Sequence, residues 1–85
     1  MHIKAEWNYS KFIDNIYNNN IISVSLHQDG KFAYVIENTH LQNHLIGLSD
    51  IHYVTLIPVH VVTLIDILID NGIPFDIFIY NNIIF

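Results

Sequence analysis

Asp29-Gly30 falls between two stretches of alternating character, and that arrangement constrains the chain more than any other feature. Before it, Ile22, Val24 and Leu26 alternate with Ser23, Ser25 and His27. After it, Lys31 leads into a second run in which Phe32, Tyr34 and Ile36 share one face. A side-chain period of two is that of a strand with one buried face. An Asp-Gly pair readily takes the backbone conformation of a tight turn between antiparallel strands. The expectation is a β-hairpin, and with it a sheet around which the remaining segments are arranged.

The flanking segments supply those partners. Ile3, Ala5 and Trp7 alternate with Lys4 and Glu6, which predicts a short strand at an edge. Ser10 is the expected N-cap of a helix, because its hydroxyl can accept an orphan backbone N–H. Phe12, Ile13, Ile16 and Tyr17 then form one helical face, with Lys11, Asp14 and Asn15 opposite. Asn18-Asn19-Asn20 ends that helix, since asparagine tolerates left-handed backbone. Residues 51–57 predict a third strand, stopped by Pro58, which suits the first turn of a helix over 59–71. In that helix His60, Thr63, Asp66 and Asp70 make a narrow polar stripe, and the rest of the circumference is apolar. Asn71-Gly72 is its expected C-cap. Residues 75–80 predict a last strand with apolar residues on both faces, as in a central strand or one lying against a partner. Residues 38–50 are the least regular. The order β-α-β-β-β-α-β belongs to the α+β class: a small mixed or antiparallel sheet of four to five strands packed with two helices, as a single domain over residues 1–85.

Composition narrows the function. Hydrophobic residues make up 52% of the chain and charged residues only 13%, where about 25% charge is usual. A domain of this length buries only about 60–65% of the surface its unfolded chain exposes. So apolar a chain is expected to leave apolar surface in contact with a partner or another copy of itself. The net charge of −5, with three lysines and no arginine, argues against nucleic acid, whose phosphates need cations. There are no cysteines, so neither disulfides nor thiol chemistry is available. Met1 to Asn8 lacks the apolar core of a signal peptide. The most apolar stretch, residues 57–69, is interrupted by Pro58, His60 and Asp66 and is too short to span a bilayer.

The chemistry-bearing residues give little sign of catalysis. His40 and His44 in His-Leu-Gln-Asn-His have the spacing of the H-E-x-x-H zinc motif, but Leu41 stands where that motif has its general base. Glu37 and Asp50 are the nearby candidates for a third metal ligand, at a spacing that fits no known pattern. A solvated loop is the expectation there. The six histidines would move the formal charge from −5 to +1 (−5 + 6) if all were protonated, yet solvated surface histidines are expected rather than a pH switch. Asp66 and Asp70 lie one helical turn apart and read as part of a solvated stripe. Trp7, Phe78 and Tyr80 are candidates for an exposed aromatic patch that contacts a subunit or a substrate.

The residues also carry a family resemblance over residues 7–80. Asn8-Tyr9-Ser10-Lys11-Phe12-Ile13 resembles the Y-S-x-F-[LI] start of the N-terminal extramembrane domain of FtsH-type membrane proteases. The run from Asn20 to Leu26, the turn at Asp29-Gly30, the strand ending at Pro58 and the step Asn71-Gly72-Ile73-Pro74-Phe75 follow in the same order. Phe32-Ala33-Tyr34-Val35-Ile36-Glu37 is most similar to the organellar and plastid branch. Residues 38–50 match poorly, and nothing is carried over there.

The resemblance implies a hexameric AAA ATPase joined to a zinc metalloprotease and anchored by two transmembrane helices, using ATP, magnesium and zinc. The domain between those helices would lie on the side of the membrane away from the ATPase. The membrane would be a mitochondrial or plastid inner membrane, a thylakoid membrane or a bacterial inner membrane. There it would help assemble a homo- or hetero-oligomeric ring and meet membrane-protein substrates. The ATPase loop G-x-x-x-x-G-K-[ST] and the protease motif H-E-x-x-H are absent from this sequence, so no cofactor and no catalytic residue are expected within it. Tyr9, Ser10 and Phe12 would then have structural roles in packing, capping and core. The competing expectation is a free-standing interaction module, of immunity or inhibitor type, that pairs through a sheet edge. A small enzyme built on the histidines ranks last, for want of a base, nucleophile and orienter.

Overall fold

The computed structural model describes residues 3–38 and 50–79, with side chains from residue 6 onward. The elements are β1 (Ile3–Trp7), α1 (Tyr9–Tyr17), β2 (Ile21–His27), β3 (Phe32–Glu37), β4 (Asp50–Thr55), a 3₁₀ turn (Pro58–His60), α2 (Val61–Asp70) and β5 (Phe75–Phe78). This is the α+β fold expected from the alternation, with a mixed five-stranded sheet in the order β1-β4-β3-β2-β5.

The hairpin stands at the centre. β2 and β3 pair antiparallel from Ile21↔Glu37 to Leu26↔Ala33, and β3 and β4 pair antiparallel from Phe32↔Thr55 to Glu37↔Asp50. β1 adds to β4 and β5 adds to β2, both parallel. Four strands therefore run one way and β3 alone runs the other. The β1-α1-β2 and β4-α2-β5 connections are both parallel crossovers, and both step in the same direction across the sheet. Crossovers of one handedness that step the same way set their helices on the same face. The buried set agrees: Phe12 and Ile16 of α1 and Leu64 and Leu68 of α2 share a core with Trp7, Val24, Leu26, Ala33, Val35 and Val54. Among the described residues, no helix covers the opposite face.

Local chemistry sets the helix ends. Asn8 rather than Ser10 caps α1: its Oδ1 accepts from the Lys11 N–H at 2.8 Å. Ser10, two residues too late for that role, is exposed. The asparagine run ends the helix as expected, with Asn19 at φ 59° and the Asn20 N–H donating to the Asn15 carbonyl at 3.0 Å. α2 closes in the same way: Gly72 sits at φ 70°, and the Ile73 N–H donates to the Leu68 carbonyl at 3.0 Å. These are 6→1 closures that satisfy carbonyls at the helix end.

Two further expectations need correction. In β2 the register shifts between Ile21 and Ser23. That bulge buries Ile21 and turns Ile22 outward to 45% exposure, so the buried alternation begins at Val24. β5 lies at an edge and not at the centre of the sheet. Its apolar pattern on both faces arises because Phe75 packs on the core while Phe78 joins the opposite face. Ile77 is left 57% exposed.

Candidate functional site

The helix-free face is the most distinctive surface. Strand alternation places Ala33 and Val35 of β3 in the core, so Phe32, Tyr34 and Ile36 point the other way. Tyr34 and Tyr53 are register partners on adjacent strands, with ring centroids 5.9 Å apart and edges to faces. Phe32 lies between them and His27. It stacks on the Tyr53 ring at 5.2 Å and on the His27 ring at 4.6 Å. Phe78 meets His27 edge-on at 5.1 Å and runs nearly parallel to Tyr34 at 6.0 Å. The result is a continuous cluster of five rings drawn from four strands, held together by offset and edge-to-face contacts.

Beside the cluster is a groove of about 250 Å³, lined by Ser25, Tyr34, Ile36, Ile51 and Phe78. Its walls are mainly hydrocarbon with a hydroxyl at the margin, the composition of a surface that takes apolar side chains. Glu6 on β1 and Asp76 on β5 stand on the same face at the two edges of the sheet, both exposed. The Glu6 carboxylate accepts from the Thr55 hydroxyl at 3.2 Å. At the hairpin tip, the His27 Nδ1 lies 2.7 Å from the Asp29 carboxylate. That contact and the Lys31 N–H, which donates to Asp29 Oδ1 at 2.8 Å, hold the Asp29 carboxyl below the usual carboxylate range.

The residues expected to form an aromatic patch are only partly brought together. Phe78 belongs to the cluster. Trp7 does not: it is 3% exposed on the helix-covered face, because its place in β1 points it under α1, so it cannot serve as an exposed contact. Tyr80 lies outside the described residues. His27, Phe32, Tyr34 and Tyr53 were not anticipated as contact residues, although the shared face of Phe32 and Tyr34 was visible in the alternation. Of the resemblance motif, Phe12 is fully buried and Tyr9 packs against it edge-on at 6.1 Å. Partial burial raises the Tyr9 hydroxyl above its ordinary pKa of 10.0.

A second grouping lies on the helix side, at the end of the β3–β4 pair. Glu37 and Asp50 face each other in register, and His52 stands next along β4. Their ligand atoms lie within 4.8 Å of one another, enough for a three-ligand metal site in number. The geometry has a simpler account. His52 is 5% exposed, its Nε2 is 2.8 Å from Glu37 Oε1, and its ring stacks on Trp7 at 4.1 Å. A buried imidazole with a carboxylate partner and an aromatic face is a satisfied structural group. This corrects the expectation of solvated histidines at His52, and at His27, whose side chain is 11% exposed. His40 and His44 lie outside the described residues.

Comparison with protein-family models and with curated proteins finds no match for the chain. Among the described residues, no helix is long and apolar enough to cross a membrane.

Proposed function

We propose that this chain is a non-catalytic protein-interaction domain that works through the helix-free face of its sheet. The observation that carries the reading is the five-ring cluster of His27, Phe32, Tyr34, Tyr53 and Phe78, with the apolar groove beside it. A core needs only one face of this sheet, and the helices fill that face. The aromatic rings on the other face are left partly exposed, and rings of this kind dominate the anchors of protein interfaces.

The setting we propose is the extramembrane part of a membrane-anchored, hexameric, ATP-dependent zinc metalloprotease. There the domain contributes to ring assembly and engages membrane-protein substrates. What supports this setting is the Tyr9-Ser10-Lys11-Phe12 motif and the order of elements it introduces. The second reading, a free-standing interaction module pairing through a sheet edge, is favoured by one observation. β5 is an edge strand, with Ile77 57% and Ile79 64% exposed. No described residue pairs with the outer side of that strand, and such an edge is a template for a further strand.

The test is site-specific photo-crosslinking in cells that make the protein, with the reactive side chain at Tyr34, at Ile77 or at Asp66. Adducts with protein partners from Tyr34 and none from Asp66 are expected. Adducts from Ile77 alone would favour edge pairing, and adducts from Asp66 alone would overturn the reading. For the setting, the coding sequence beyond Phe85 should carry a hydrophobic span and the two ATPase and peptidase motifs. Their absence would remove that part of the proposal.

A further inference from the structure

We infer that the groove on the helix-free face takes a peptide segment in which lysine or arginine alternates with apolar residues. This inference rests on the interaction reading above and names the chemistry of the partner. The floor is apolar: Tyr34, Ile36, Ile51 and Phe78 line a space of about 250 Å³, room for an aliphatic or aromatic side chain. The margins are acidic. Glu6 and Asp76 occupy the two edge strands of the same face, so a segment lying across the sheet meets a carboxylate at each end.

Among the described side chains, both lysines lie away from the groove. Lys11 sits on the helix side with its Nζ 5.6 Å from the Trp7 ring centroid, and Lys31 lies at the hairpin tip. The exposed acids on this face and the net charge of −5 therefore disfavour an acidic segment and attract a basic one. The rings add a second selection for the same charge, because a cation over the face of a tyrosine or phenylalanine is attracted by the ring's quadrupole. A neutral apolar segment would satisfy the floor but leave the acids unused.

The experiment titrates the isotope-labelled chain with three short synthetic peptides: lysine alternating with leucine, glutamate alternating with leucine, and serine alternating with leucine. Amide shifts are followed by NMR. The lysine peptide should shift Ser25, Tyr34, Ile36 and Phe78, and the glutamate peptide should not. The variant Glu6→Gln/Asp76→Asn removes two exposed carboxylates without touching the core, and it should weaken lysine-peptide binding about tenfold. Added salt should weaken it in the wild type more than in the variant. If all three peptides shift the same residues equally, the charge preference is overturned while the interaction reading stands. If none does, yet crosslinks still form from Tyr34, the partner chemistry inferred here is wrong and the face is not. If phosphocholine micelles shift these residues and the lysine peptide does not, the face serves a lipid surface and the inference fails.

Discussion

Trp7 and His52 lie face to face, with ring centroids 4.1 Å apart and planes 18° apart. Neighbouring parallel strands bring them together, and the Glu37 carboxylate fixes the far side of the imidazole at 2.8 Å. A carboxylate, an imidazole and an indole thus tie β3, β4 and β1 together in one row. Trp7→Ala should cost about 3–5 kcal/mol, as expected when a buried aromatic is truncated. His52→Ala should cost about 1–3 kcal/mol, much of it from leaving the half-buried Glu37 carboxylate without its partner. Urea denaturation of both single variants and the double variant should give a coupling of about 0.5–1.5 kcal/mol between the rings. Strict additivity would mean that the stack contributes nothing beyond area.

The start of α1 makes a sharper distinction. Asn8→Ala removes the side-chain oxygen that accepts from the Lys11 N–H and should cost about 1 kcal/mol. Ser10→Ala, in the exposed first turn, should change stability by less than about 0.5 kcal/mol. Thermal unfolding of the two variants would return the cap to Ser10 if the order were reversed.

The contrast between these residues shows where sequence reasoning stops. The helix itself is legible from Phe12, Ile13 and Ile16, and its end is legible from three asparagines. The cap is not, because Asn8 and Ser10 both have the chemistry and only the position of the first turn separates them. The same limit applies to the site. Alternation shows that Phe32, Tyr34 and Ile36 share a face, but it cannot say which face the helices cover. That choice follows from two crossovers stepping the same way across the sheet, which is a property of strand order. Strand order also explains Trp7 and Phe78. Both are aromatic strand residues, yet one is roofed by a helix and the other lies on the opposite face. The signal that could have found the aromatic cluster was the pairing of Tyr34 with Tyr53, which needs the β3–β4 register. His52 was hidden for a related reason, since its partner Glu37 is fifteen residues away along the chain.

Gly30 and Gly72 both hold positive φ, at 75° and 70°, but their surroundings differ. A Cβ at Gly72 would meet nothing within 4 Å, whereas one at Gly30 would lie 3.1 Å from Val61 Cγ2 and 3.3 Å from the Pro58 backbone. Gly72→Ala should therefore cost only the left-handed strain, about 1 kcal/mol. Gly30→Ala should cost about 2–3 kcal/mol, because the hairpin tip must also move away from the start of α2. Equal losses in chemical denaturation would show that the tip and the 3₁₀ turn do not press on each other.

The hairpin tip also carries a pH signature. The contact with His27 is the largest cause holding the Asp29 carboxyl below its ordinary value of 3.8, followed by the hydrogen bond from the Lys31 N–H. A carboxyl whose folded pKa is depressed gives up its proton more readily in the folded chain than in the unfolded one. Its contribution to stability is therefore present above pH 3.8, and it fades as pH falls through the lowered folded value. Because Asp29 is exposed, solvent screening keeps the effect small, and a direct titration reads it better than a melting curve. The Asp29 carboxyl carbon, followed by NMR, should titrate below pH 3.8 in the wild type. In His27→Phe, which keeps a ring against Phe32 and Phe78 but removes the imidazole nitrogen, the midpoint should move back up toward that value. An unchanged midpoint would assign the depression to the turn backbone alone and detach the hairpin tip from the aromatic face.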